Sequence, residues 1–351
     1  MKTRGVVVSV GARTAIGLTA VDTGLAHRAA AAAMSAAPLA DGDGEPATMC
    51  YLPTIDPFVV GAERAVALGR PALEEALAPV VERLPYMSVE LVLCLDELMA
   101  QRGEDGTIPG SRIATELSRV VSRVAPKLAD VQTVARGPAS LGFVLDKVLA
   151  KLESGGADAV VLGGVHTDYD PARIAALVSK GRLFSPDNLD ALIPGEAAAF
   201  LVLMRADTAR SHGLLPRLRL HEAATGQAKA TVDNEESAFK AAALTAVARQ
   251  AGRGLVDDGL RAGWMLTDLS FEMMRLYEFQ AMCSRTQRLW CEPQYCDSPA
   301  QRLGYAGAAT MPLHLVLAAE AWRRGWAPHD VAMSFAGSDG GERAAVLLSS
   351  P

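Results

Sequence analysis

The run Ala159-Val160-Val161-Leu162, closed by Gly163-Gly164, has no polar alternation. A strand of that kind is stable only where both faces of a sheet are covered, so the chain must supply helices above and below it. The residues just before it supply one. Val131 to Val134 is short and β-branched, Gly137-Pro138 opens a helix, and Leu141, Val144, Leu145, Val148, Leu149 and Leu152 recur at helical spacing before Gly155-Gly156 stops it. Asp130 to Asp168 thus reads as strand, helix, strand. A helix whose amino end follows a buried strand presents free N–H groups and a positive dipole end, a natural place for a nucleophile or an anion.

With 351 residues, half of them hydrophobic, the chain can bury a large core and is too long for one ordinary domain, which points to two domains or a duplicated unit. A net charge of −6, the lack of any Lys/Arg-rich run and an aromatic content of 5% argue against a nucleic-acid surface. Cys50, Cys94, Cys283, Cys291 and Cys296 form an odd set without CxxC spacing, and Cys94 lies in an apolar run. That pattern fits a reducing cytoplasm and provides neither a disulfide framework nor a metal site, and no cofactor motif stands out. Met1 to Val10 has the charge and apolarity of a signal peptide but is broken by Gly11-Ala12-Arg13, so an opening strand is expected, and no stretch reaches membrane-span length.

In chain order the predicted elements fall into two similar series. The first has strands at Gly5–Val10, Val89–Leu95, Val131–Val134, Ala159–Leu162 and Ala197–Met204, with helices at Glu63–Val81, Ser111–Val124 and along Leu141–Leu152. Asp41 to Pro46 is a surface turn, Pro71 marks a kink and Pro79 an end of its helix, and Val165 to Gly195 is an aperiodic insertion. A polar hinge at Arg205–His212 leads to the second series: strands at Leu214–Leu220, Gly263–Leu269, Leu289–Tyr295, Asp330–Phe335 and Arg343–Leu348, helices at Glu235–Gln250, Phe271–Arg288 and Gly304–Arg323. Both series close with a glycine turn before the last strand, Pro194-Gly195-Glu196 and Asp339-Gly340-Gly341. A duplicated α/β unit, residues 1–204 and 205–351, accounts for this.

The opening Val6–Gly17, the Gly156–Gly164 segment GADAVVLGG, Gly181-Arg182-Leu183-Phe184-Ser185 with Ile193–Ala198, Leu303–Ala309 and Ser338–Gly341 occur in the order in which they resemble the thiolase fold, and more closely its β-ketoacyl synthase branch. The resemblance implies a duplicated five-layer αβαβα fold with mixed central sheets, and a homodimer pairing through Val131–Val134. It also implies a catalytic cysteine at the amino end of the third helix and two further histidines, or a histidine and an asparagine. Counting back from Asp158 places the cysteine position at Pro138; neighbouring registers offer Arg136, Gly137, Ala139 and Ser140, of which only Ser140 has a hydroxyl. The second position falls in Thr267-Asp268-Leu269-Ser270, at Leu269, and the third at Tyr305.

Other groups are weighed for chemistry. His166, followed by Asp168, is a possible base for Ser140 or Tyr305, against the plainer reading of a loop histidine satisfied by backbone. Asp268, Glu272 and Glu278 read as solvated or capping carboxylates, Cys94 as a small core residue, Glu196 as a structural hydrogen-bonding group and Gly340-Gly341 as a tight turn. Three functions compete: a non-catalytic scaffold, an acyltransferase of altered mechanism acting on acyl thioesters, and a partner subunit that completes a ketosynthase heterodimer. The TDLSFE and LGYAGAA stretches resemble thiolase-like accessory proteins found with type VI secretion genes, which implies a protein partner such as a secretion effector. Arg173, Lys180 and Arg182, and the Trp322/Trp326 region, are the candidate partner surfaces.

Overall fold

The computed structural model describes residues 1–84, 86–102, 106–124 and 127–351. The first half runs β1 (Gly5–Thr14), α1 (Ala20–Arg28), the hairpin β2 (Met34–Ala40) and β3 (Pro46–Cys50), α2 (Gly61–Val81), β4 (Ser88–Leu95), α3 (Pro109–Val124), β5 (Lys127–Ala135), α4 (Ser140–Glu153), β6 (Ala159–Thr167), α5 (Pro171–Ser179) and β7 (Glu196–Met204). After α6 (Ala206–Ser211) come β8 (Leu218–Gln227), α7 (Ala242–Ala251), α8 (Arg253–Asp257), β9 (Ala262–Leu266), α9 (Met273–Arg285), β10 (Trp290–Asp297), α10 (Ala300–Leu303), α11 (Thr310–Arg324), β11 (Val331–Gly337) and β12 (Glu342–Ser349).

Counted within its own half, each set of five sheet strands lies in the order third, second, fourth, fifth, first. The first three of these are parallel and the fifth strand runs antiparallel to both its neighbours, in both halves. The two sheets are joined where β1 meets β8, antiparallel, through Gly5–Leu220, Val6–Arg219 and Val7–Leu218, so one ten-stranded sheet runs through the molecule.

Three apolar clusters show why the layers stack. Residues of α4 and α11 share one core with the inner faces of both sheets, for example Leu145, Leu149, Leu315, Val160, Leu201 and Val346. On the outer face of the first sheet α2 and α3 bury Leu73, Leu77 and Leu117 against Leu91 and Phe200. Over the second, α7 and α9 bury Val247 and Met282 against Met333 and Leu347. These are the five layers of a thiolase-like fold. A helix in the middle layer is covered on every side, and in α11 every residue from Thr310 to Ala321 is buried, with His314 bonded to Ser334 and Glu320 to Arg324.

Several local expectations are corrected. Helix α2 is the exception and ends at Val81 as expected; the buried row Leu68, Ala72, Leu73, Ala76 and Leu77 holds Pro71 and Pro79 inside it despite a cost of about 3 kcal/mol for an internal proline. The insertion 165–195 is not structureless: β6 extends to Thr167, and α5 follows, with Pro171 at its first turn and the Asp170 side chain capping Ala172 N. The hinge at 205–212 is largely α6. The Trp322/Trp326 region is not an exposed apolar surface, since both rings pack partly buried on the central core, Trp322 edge-on to Trp264 at 5.6 Å. Leu289–Tyr295 forms β10, slightly displaced.

Glu196, the first residue of β7, is fastened from four directions. Its carboxylate accepts from Arg64 Nε at 2.6 Å and Nη2 at 2.9 Å, from Leu52 N at 2.6 Å and from Thr167 Oγ1 at 2.9 Å, and the two charged side chains are 1% and 0% exposed. A buried pair of this kind adds little over an apolar pair, but removing one member strands the other charge. Glu196→Gln is therefore expected to lower the unfolding free energy by about 3–5 kcal/mol in urea titrations, whereas Arg64→Met/Glu196→Leu recovers most of the loss. Equal losses in the single and double variants would contradict this account.

Candidate functional site

In open α/β sheets, groups at the carboxyl ends of parallel strands are left free of the ladder and converge on one edge. Here β4 ends at Leu95 and is followed by Asp96 and Glu97, while the end of β6 carries His166 and leads to Asp168. Together with α5, Tyr305 and the β11–β12 turn they border a cleft of about 540 Å³.

A chain of charges runs along its floor. Asp96 Oδ2 lies 2.6 Å from His166 Nδ1, while its Oδ1 accepts from Ala308 N at 2.9 Å. His166 Nε2 is 3.1 Å from Asp168 Oδ2, close enough for charge attraction though without a well-aligned hydrogen bond. Asp168 in turn accepts from Arg173 Nε at 2.7 Å and from Gly195 N at 3.3 Å. Burial alone would lower the His166 pKa, but the carboxylates of Asp96 and Asp168 outweigh it and raise the pKa to about 10, which favours the protonated ring. Burial would likewise raise Asp168, and His166 and Arg173 hold it well below the usual carboxylate range instead. Tyr305 stands edge-on to the His166 ring at 5.0 Å. Gly307 is required opposite them: its φ is +43° and a Cβ there would come within 2.1 Å of His166 Nδ1.

Sequence reasoning treated His166 as a base or as a loop residue bonded to backbone. The structure puts it at the end of a strand, with both ring nitrogens facing carboxylates and neither bonded to backbone. Arg173 and Arg182 are also not free surface cations. Arg182 binds Asp339 through both terminal nitrogens at 2.7 and 3.3 Å and Glu272 Oε1 through Nε at 2.8 Å. Lys180 is the exposed one, at 54%, with Asp233 3.6 Å away.

At the opening of α4, the backbone turn Gly137–Ala139 is a 3₁₀ turn and Gly137 has φ +55°. A Cβ at Gly137 would lie 2.7 and 2.9 Å from the two carboxylate oxygens of Glu97. The space in front of this turn is thus filled by Glu97. Burial raises the Glu97 pKa to about 7, and Asp96, Asp339 and Glu342 add to the rise; its Oε1 is buried without a hydrogen-bond partner among the described residues.

The remaining sequence candidates lie elsewhere. Ser140 is fully buried; its Oγ accepts from Arg136 N at 2.9 Å and sits 3.3 Å from Val134 O and 3.4 Å from Leu95 O, so the hydroxyl ties the turn to two strands. Pro138 is buried in the same turn and is not part of the cleft wall. Asp268 accepts from Gly337 N at 2.6 Å, and Leu269 belongs to the outer core of the second half. Glu272 and Glu278 are not solvated: the first holds Arg182, and the second holds the buried Arg343 at 2.8 Å. Cys94 is fully buried, and burial pushes its thiol pKa up. Asp96, Glu97 and Asp339 were passed over in the sequence. Their one signal was position, two carboxylates directly after a predicted strand and one in the closing glycine turn.

No known protein-family model matches the sequence, and no similar curated protein was found. Solved structures do match over the whole chain. The "AntDE:AntF" complex, described as a type II polyketide acyl-carrier protein with its ketosynthase, aligns with a TM-score of 0.79 at 12% identity and full coverage of both chains. The ishigamide ketosynthase/chain length factor aligns with 0.75 at 17%, again covering both chains fully. The oxazolomycin ketosynthase domain OzmH KS7 of Streptomyces albus JA3453 aligns with 0.76 at 14%, covering all of this chain and 74% of the other. The chain therefore has the thiolase-like fold of ketosynthases. At these identities the likeness extends to the fold.

The pKa shifts set a direction for stability. His166 gains proton affinity on folding, so its contribution is complete below about pH 6.5 and is lost as pH rises towards 10. Glu97 also binds its proton more tightly when folded, and its contribution falls between pH 4.5 and about 7. Asp168, shifted down, contributes in full above about pH 3.8 and loses that contribution only as pH falls further. Urea midpoints are expected to decline from pH 4.5 to 10; His166→Gln should flatten the slope above 6.5 and Glu97→Gln the slope below 7. An unchanged profile in either variant contradicts the assignment.

Proposed function

We propose that this chain is a ketosynthase-fold protein that does not carry acyl groups on a cysteine and acts instead through binding to a partner protein. The observation that carries the reading is the turn before α4. It presents Gly137 and Pro138, with the Glu97 carboxylate in the space a side chain at 137 would occupy. A thiol works as a nucleophile there because the helix end and a polar setting lower its pKa. Cys94 is the cysteine on the neighbouring strand, and burial acts on it in the opposite direction. Tyr305, in place of the family's histidine, and Leu269 support the same reading.

Partner binding is supported by β5, the outermost strand of the first half, whose far edge has no neighbour among the described strands. An edge strand is a template for pairing with another chain. Val131–Val134 at this edge would form either a homodimer or a heterodimer with a ketosynthase, and the likeness to accessory proteins of type VI secretion supplies a secretion effector or adaptor as a further partner. Sedimentation separates the first two: a dimer of the chain alone supports self-pairing, and a monomer that dimerises only with an added ketosynthase supports the second.

Incubation with acetyl-, malonyl- and long-chain acyl-CoA is expected to give no covalent adduct by intact mass and no thiol release above buffer. An adduct on Ser140, or thiol release abolished by His166→Gln, would establish the acyltransferase of altered mechanism in its place.

A further inference from the structure

On the outer face of the second half, far in topology from the cleft and sharing no lining residue with it, a groove of about 560 Å³ lies between the end of α7 with α8 and the end of α9. Its walls carry Arg249, Arg253, Arg285 and Arg288, with Asp257 and Val256. In a chain of net charge −6, four guanidinium groups around one groove require explanation. None of the four forms an ion pair among the described residues, although most arginines of the cleft and the core do.

Two of the four have a local role. Arg249 donates to Arg285 O at 2.9 Å and Arg285 donates to Lys240 O, so both are used by the carbonyl end of α9 and its approach to the α7 side. Arg253 and Arg288 make no hydrogen bond to any described residue. The local charges decide whether the groove is neutral. Two helix carboxyl ends, α7 at Ala251 and α9 at Arg285, contribute about half a negative charge each. Asp257 contributes one more, while Asp258 is occupied by the terminal amine. Against four guanidinium groups that leaves roughly two positive charges uncompensated among the residues that line the groove.

We infer that this groove is a docking site for an acidic, extended segment of a partner protein. The arginines lie in two sequence-local pairs, Arg249 with Arg253 across the α7–α8 junction and Arg285 with Arg288 at the end of α9 and the turn after it, and an extended chain presents alternate side chains to opposite sides. Carboxylates are matched by the planar guanidinium fork. Val256, 49% exposed in the groove, offers apolar contact to such a segment. A single-stranded nucleic acid is held by stacking aromatics, and the lining has none. The site is independent of the function proposed for the cleft.

The test is fluorescence anisotropy of fluorescein-labelled hexaglutamate against the full chain at low and physiological salt. Saturable binding that weakens with salt is expected, reduced at least tenfold in Arg253→Glu/Arg288→Glu and unchanged in Arg70→Glu/Arg123→Glu, a reversal of two exposed arginines elsewhere. Arg253→Ala and Arg288→Ala singly should each weaken it less, and these carry the test if the double variant does not fold. Absence of binding by the native chain, or equal binding by the groove variants, overturns the proposal. So does tighter binding of an oligothymidylate, which would mark a nucleic-acid site, or full displacement by millimolar inorganic phosphate, which would mark a small-anion site.

Discussion

The closeness with which the central helices approach the sheets governs much of this structure. A Cβ on Gly164 would stand 2.2 Å from the carbonyl oxygen of Ala308, and one on Gly195 would stand 2.5 Å from that of Tyr305. The backbone that opens α11 therefore lies directly on the ends of β6 and β7. That contact places Tyr305 beside His166, lets Ala308 N reach Asp96, and lets α11 be buried on every side. Larger residues at these two strand positions would push the helix opening outward and take the floor of the cleft apart with it.

The floor of the cleft is a coupled set of buried charges. Glu97 carries a carboxyl whose pKa is raised by burial beside the turn that opens α4, and His166 lies between two aspartates whose charges favour its protonated form. Such a buried network has large opposing terms, since each member costs desolvation and recovers it only through its neighbours. It is well suited to hold α5 and the strand ends rigidly.

How much was legible in the sequence follows from the range of each interaction. Apolar periodicity is local, so the buried strands, the long helices and the repeat of element order could be read directly, and the ketosynthase-like glycine segments gave the layers. Local rules failed where a short helix such as α5 sat in a polar stretch. The site was harder, because its members meet across the fold: Asp96 and His166 are 70 residues apart, and Arg182 and Asp339 are 157 apart. His166 and Tyr305 could be nominated individually. Glu97 could not, since nothing local says that its carboxyl would face Gly137. Ser140 was nominated for its hydroxyl, which the turn itself consumes.

Arg182 has a wider consequence. It leaves the first half just after α5 and grips Asp339 and Glu272, which belong to the closing turn and the α9 entrance of the second half. Arg275 shares Asp339 at 3.4 Å. The wall of the cleft is thus also a strap between the halves, cross-linking them far from their β1–β8 seam. An anionic group reaching Arg182 from solvent must compete with two carboxylates for it, and whatever it wins is taken from the strap. Occupancy of the cleft and the rigidity of the two halves against each other are, at this residue, the same variable.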